Sequence, residues 1–196
     1  MTIQTLFTNA DDCWSNDGGG GFYNTLDNIT IGNNSVNDFP VTAWLPFIVN
    51  LSKNQVIISA TLKVVAVQAD TSTIHVKLGC EAADNPPAPT TKADLEARAL
   101  TAAYLSWDSD FDPNGTWVIG TQYTFDITSA VQEVLNRAGW TPQNTLAVLI
   151  KDNNTGADNI RKFAATENDS YTEAILEIVF TSISGLTVAT TPYMMF

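Results

Sequence analysis

The chain of 196 residues predicts an all-β fold, and three features of the sequence carry that expectation. Charged residues make up only 15%, while Thr, Asn and Ser are abundant, a bias that suits strands and polar turns better than helices. Several segments alternate apolar and polar residues with the period of two that sends successive side chains to opposite faces of a sheet. One clear helical pattern exists, within Gln122 to Lys151, and strand-like runs flank it. The length suits one domain with a substantial core.

In chain order, Ile3 to Phe7 offers a short strand, and Asn9 to Gly21 (NADDCWSNDGGGG) reads as a turn-rich acidic loop. Ile29 to Ile31 offers another strand before the polar GNNSVND. Val41 to Leu51 is apolar enough for a strand, but Pro46 has no N–H to give a ladder and points to an edge or a bulge. In Val56 to Val67 (VIISATLKVVAV), Val56, Ile58, Ala60, Leu62, Val64 and Ala66 make an inward face, and Ser59, Thr61 and Lys63 lie on the other. Ser72 to Cys80 alternates likewise, with Ile74, Val76, Leu78 and Cys80 inward, and the short QADTS between the two predicts a hairpin.

After the NPPAPT loop, Thr91 to Tyr104 is rich in Ala, Leu and Glu with Thr91 placed as a cap, which predicts a short helix. Trp107 to Trp117 (WDSDFDPNGTW) reads as an acidic turn. Tyr123, Phe125 and Ile127 then alternate with polar residues as a half-buried strand. Thr128 fits the N-cap of a helix with Ile127, Val131, Val134, Leu135 and Ala138 on its apolar face. Arg137 suits the negative end, and Gly139 stands where a left-handed C-cap would be. The apolar run TLAVLIK follows, and Glu173 to Thr181 is a last strand with Ala174, Leu176, Ile178 and Phe180 inward. Residues 1–181 are thus expected to form the sandwich domain, and 182–196 (SISGLTVATTPYMMF) a separate apolar tail.

Twenty-one acids against nine bases give a net charge of -12. No block of Lys or Arg exists to release counterions from a phosphate backbone, so nucleic acid and anionic membrane surfaces are not expected partners. The longest apolar run, Val41 to Val49, is interrupted by Thr42 and Pro46 and is too short to span a bilayer. MTIQTLFTNADD lacks the basic start and apolar core of a secretory signal, so synthesis and folding in a cytosol are expected. Cys13 and Cys80 read as two quiet thiols, a bridge between them being left for an extracellular form.

Catalysis has little to draw on. The only histidine, His75, falls on the outward face beside Lys77 and leaves a Ser or Cys nucleophile without a base. A glycosidase needs only two facing carboxylates, but no pair stands out, and an enzyme is not expected. Gly18 to Gly21 lacks the strand and the following Lys of a phosphate loop, and Asp11, Asp12 and Asp17 would repel phosphate. Asp108, Asp110, Asp112 and Asn114 alternate like calcium ligands, yet Gly115 comes late and Ile119 stands where an EF-hand needs Glu. A looser calcium loop is the functional reading there, solvated turn acids the plainer one, and no other cofactor is expected. Among five tryptophans, Trp107 and Trp117 bracket this turn and, with Asp110, would be the first choice for stacking on a sugar; core packing is the alternative. Leu186, Val188, Pro192, Tyr193, Met194, Met195 and Phe196 make the tail apolar enough to need a cover, whether its own sandwich or a neighbour.

The succession LPFIVNLSKN, ISATLKV, LTAAYLSWD, YTFDITSAVQEVLNRAGW, LAVLIKDN, RKFAATEN and EAILEIVF, spanning Ala10 to Phe180, resembles the DNRLRE-type, carbohydrate-binding-module-like modules of bacterial extracellular and bacteriophage structural proteins. The resemblance implies a jelly-roll β-sandwich of two antiparallel sheets with one or two short helices in loops. It implies no catalytic motif, and AWLPFIVNL departs from the arginine-containing strand common in that group. The expectation is a bacteriophage virion protein, such as a capsid decoration protein or a head-fibre or tail component. It would assemble in the host cytoplasm with other virion proteins and with copies of itself. The alternative is a module that recognises a polysaccharide or cell-surface glycan.

Overall fold

Twelve strands and two short helices form where the alternating and helical patterns meet partners, in a computed structural model that describes residues 1–16, 21–34, 38–109 and 115–181. In chain order they are β1 (Thr2–Phe7), β2 (Cys13–Asn16), β3 (Phe22–Tyr23), β4 (Asn28–Gly32), β5 (Val41–Val49), β6 (Ile57–Val65) and β7 (His75–Glu81). Then follow α1 (Lys92–Ala97), β8 (Leu100–Asp108), β9 (Gln122–Asp126), α2 (Thr128–Leu135), β10 (Asn144–Asp152), β11 (Ile160–Ala164) and β12 (Ile175–Phe180). A four-stranded sheet, β1-β12-β6-β9, faces a six-stranded one, β3-β2-β5-β10-β7-β8, and β4 pairs with β11 beside them. Every pairing is antiparallel, so the fold is an all-β sandwich with two short helices.

One core lies between the two main sheets. Leu62 and Val64 of β6, Phe125 of β9 and Leu176 and Ile178 of β12 meet Leu45 and Phe47 of β5, Val76 and Leu78 of β7 and Val148 and Ile150 of β10. Burying each such side chain contributes about 1.5–3 kcal/mol. The second face of the six-stranded sheet is also covered: Cys13, Trp44, Ala147 and Leu149 pack with Leu95 of α1. This double cover explains why β5 and β10 read as near-continuous apolar runs rather than alternating ones.

Several expectations are corrected. Val56–Val67 and Ser72–Cys80 do not form a hairpin: β6 pairs with β12 and β9, β7 with β10 and β8, so the QADTS segment carries the chain from one sheet to the other. Along β6 the inward set holds from Ala60 onward, but Val56 and Ile58 point out and Ile57 points in, because the ladder with β12 skips Ile58. Pro46 lies in a strand with partners on both sides; β2 pairs only with Val41–Trp44, so at Pro46 β10 is the one neighbouring strand. Thr91 does cap α1, its side chain accepting from the Asp94 N–H at 3.2 Å, but the helix stops at Ala97 and Leu100–Asp108 is a strand on β7. Within the expected acidic loop, Cys13–Asn16 is a strand inserted between β3 and β5.

Helix α2 locks the two sheets at one end. Thr128 opens the helix rather than capping it: its N–H donates to Asp126 Oδ1 at 2.9 Å, and its hydroxyl accepts from the Ala60 N–H at 2.8 Å. Beyond the end of β9, Gln132 continues the β6 ladder, accepting from the Ile57 N–H and donating to the Gln55 carbonyl, both at 3.0 Å. Glu133 accepts from the Ala102 and Ala103 N–H groups of β8 at 3.0 and 2.8 Å. Gly139 is not in the left-handed region. Its role is clearance, since a Cβ there would collide with the Asp84 carboxylate, which accepts from Arg137 Nε at 2.6 Å.

Candidate functional site

The tryptophans that bracket the acidic turn are core residues. Trp107, at the end of β8, is 3% exposed and Trp117 is 1% exposed. Trp117 stacks on Tyr123 with ring centroids 4.9 Å apart, and Trp107 meets Phe125 edge-on at 5.2 Å. Neither ring offers a face to a sugar, which corrects the stacking role assigned to them. The hydrophobic gain of burying two indoles against Phe and Tyr outweighs display at a turn.

Asp110, Asp112 and Asn114 lie outside the described residues. Asp108 is half-buried, and its Oδ2 stands 3.0 Å from His75 Nδ1. Among the described residues no group of three or more His, Cys, Asp and Glu is placed to hold a metal. Where the chain resumes after the turn, Gly115 gives its carbonyl to the buried Arg161, Nη2 to O 2.7 Å. The same guanidinium pairs with Asp70 Oδ1 at 3.0 Å and donates to Ser72. This knot fixes the base of the turn rather than presenting groups to a ligand.

The outer face of the six-stranded sheet carries an open polar shelf beside α1. Lys77 and Lys151 are direct cross-strand partners, and Lys77 Nζ lies 5.5 Å from the ring centroid of Tyr104, which is 45% exposed. Lys151 Nζ donates to the Glu96 carbonyl at 3.0 Å, and burial holds its pKa below the usual lysine value against the pull of Glu96. Two lysines side by side are unfavourable on their own, and the charges of Glu96 and Glu81 near Lys151 offset that repulsion. Sequence reasoning passed over Tyr104 because it closed the expected helix.

The four-stranded sheet differs: its outer face is apolar at one corner. Ile3, Val56 and Ile58 are each more than half exposed, and Ile3 is the cross-strand partner of Val179, itself next to Ser59 on β6. Farther along, Phe7 is also more than half exposed and pairs with Ile175. The Lys63–Glu177 ion pair, 2.9 Å, separates the two ends. The described chain leaves the fold at the first corner, where the Thr181 carbonyl accepts from Gln55 Nε2 at 2.6 Å. The signal for this corner in the sequence was Val56 and Ile58, which alternation had placed inward, and Ile3 in the first short strand. The expected docking residues Leu186, Val188, Pro192, Tyr193, Met194, Met195 and Phe196 lie outside the described residues.

Comparison with known proteins adds no assignment. No protein-family model matches this chain, and no curated protein does. Among the described residues, no helix is long and apolar enough to cross a membrane.

Proposed function

We propose that this chain is a non-enzymatic structural protein of a bacteriophage particle, a capsid decoration or cement protein or a head-fibre or tail component. In this reading it displays a carbohydrate-binding-module-like sandwich, assembles in the host cytoplasm and contacts other virion proteins and further copies of itself. The observation that carries the reading is the apolar corner of Ile3, Val56, Ile58 and Val179 at the point where the chain passes into the uncharged segment 182–196. An open apolar face next to an apolar segment is costly in water and marks a contact surface. The resemblance of the strand succession to phage structural modules supports the same reading, and the acidic charge suits a displayed surface that must stay soluble. Truncation after Ser184 tests it: the shortened protein should fail to assemble or to attach to its particle, and attachment equal to that of the intact chain would refute the tail's role.

A second reading, recognition of a polysaccharide or cell-surface glycan, is favoured by Tyr104 and the lysine shelf rather than by the tryptophan pair. An exposed aromatic ring beside cations suits an acidic sugar. A glycan array probed with the native chain and Tyr104→Ala decides it, since signal absent from the native chain, or unchanged in the variant, removes this site.

A further inference from the structure

We infer that, whatever partner the fold meets, the cavity between Asp38 and the turn after β10 is a calcium site, held by the carboxylates of Asp38 and Asp152 and by neutral oxygens of Asn33 and Thr155. The cavity is open, measures about 380 Å³, and is lined by Asp38, Asp152, Asn154 and Thr155 among others. Its frame is fixed from behind. The Asn33 N–H donates to the Asn159 carbonyl at 2.8 Å, and the Thr155 hydroxyl donates to the His75 carbonyl at 2.8 Å and accepts from the His75 N–H at 2.9 Å.

The side chain of Asn33, 0% exposed, is what points to a cation. Its Nδ2 donates to Asp38 Oδ1 and, at 3.1 Å, to the Thr155 carbonyl, and both partners belong to residues that line the cavity. A carboxylate and a carbonyl only accept, so the nitrogen must be the end that faces them, and Oδ1 is left with no hydrogen-bond partner. The amide is planar, and one of its two N–H groups lies on the same side as Oδ1. The oxygen reached by that N–H, from Asp38 or from Thr155, therefore stands beside Asn33 Oδ1 at the cavity wall. Acceptors gathered side by side in a buried place, with no donor between them, are what a cation satisfies.

Asp152 brings the second carboxylate, turned over its own loop by the Asn154 and Thr155 N–H groups at 3.1 and 3.2 Å. Each carboxylate keeps lone pairs for a metal. Among the described residues neither Asp38 nor Asp152 forms an ion pair, in a chain of net charge -12. The lining residues offer oxygen and neither sulfur nor imidazole, which selects a hard cation. The cavity leaves room for water to complete the about six to eight oxygens that calcium takes, whereas magnesium needs a tighter octahedron. Two carboxylates with neutral oxygens suit a dissociation constant of about 0.1–1 mM, so the site fills at extracellular rather than cytosolic calcium levels.

Calorimetric titration with calcium chloride tests the site on the full chain in three forms: native, Asp38→Asn with Asp152→Asn, and Asp11→Asn with Asp169→Asn. The last pair removes the same charge from two exposed acids outside the cavity. Asparagine keeps an acceptor oxygen at each position and tolerates the left-handed backbone of Asp38, φ 66°, so unfolding in EDTA should stay cooperative in all three. The native chain and the charge control should bind calcium alike, and the cavity variant about tenfold or more weakly. Calcium should raise the thermal midpoint of the first two and not of the third, and magnesium at the same concentration should act less. No saturable binding up to about 10 mM overturns the site. Binding that the cavity variant keeps at full strength lies elsewhere and overturns it too, as does an equal loss in the charge control, which would show a response to net charge alone. An equal response to magnesium overturns the choice of calcium. Should the paired cavity variant not unfold cooperatively, Asp152→Asn alone decides by the same titration.

Discussion

Two single residues place an ionisable group where the fold excludes water, and they bear on stability in different ways. Asp12 is buried; its Oδ2 accepts from the Thr166 N–H at 3.0 Å and its Oδ1 has no partner among the described residues. Burial raises its pKa from 3.8 to about 6, against the lowering effect of the Thr166 hydrogen bonds. A carboxyl with a raised value binds its proton more tightly in the fold than in the unfolded chain. Its contribution is therefore most favourable below about pH 4 and is lost as the pH rises to about 6, a change of order 2–3 kcal/mol. Urea unfolding of the native chain and Asp12→Asn across that interval should show the balance moving toward the variant by about that amount. A difference that stays constant with pH would show that Asp12 does not titrate as stated. Arg161 is the second case: burial lowers its pKa and Asp70 opposes that, but a guanidinium stays charged. Arg161→Met should cost about 3–5 kcal/mol, because the Asp70 carboxylate and the Gly115 carbonyl lose their partner. Adding Asp70→Asn should recover part of the loss in the same urea measurement.

At the scale of elements, β6 shows how one skipped residue changes what a strand presents. Ile57 is 7% exposed and Ile58 51% exposed, the reverse of the alternation that runs from Ala60 onward. Ile57→Ala should destabilise by about 2 kcal/mol or more, as an emptied core position does. Ile58→Ala should change stability by about 0.5 kcal/mol or less. Equal losses in thermal or urea unfolding would place the skip elsewhere in the strand. The alternating strands β7, β9 and β12 and the helix α2 were legible because each buries one face, so the period in the sequence reports the burial. Strand β8 was not, since the Ala and Leu of LTAAYL favour a helix in isolation and only pairing with β7 makes them a strand. Strand β2 was hidden for a related reason: its four residues are buried on both faces, so no alternation marks them.

For the whole molecule, the two cysteines give the clearest consequence of topology. Cys13 belongs to the α1-facing cluster and Cys80 to the main core, with β5 and β10 between their strands. Three strand spacings of about 4.8 Å separate them, and a disulfide needs Cα atoms within about 7 Å. The bridge left open for an extracellular form is therefore excluded. Burial pushes the Cys13 thiol up to about 12 and raises that of Cys80 as well. A thiol reagent should label neither in the native protein and both after denaturation, and oxidation of the native protein should give no internal disulfide. Rapid native labelling of either would contradict the packing on that face of the sheet. The same topology decided the candidate sites. The tryptophans chosen from the sequence went into the core, whereas Tyr104 and the Ile3–Ile58 corner came to the surface.

The sequence by itself determined that this chain is a strand-built sandwich with one well-marked helix, acidic and without an evident catalytic set. Those properties are local: periodicity, composition and charge do not depend on which strand lies beside which. Only the tertiary structure decided that β6 and β7 belong to different sheets, that Trp107 and Trp117 face inward, and that Val56 and Ile58 face outward at the corner where segment 182–196 begins. Pairing and register are set by contacts between residues far apart in the chain. A single skipped residue there reverses which side chains meet the core and which face outward.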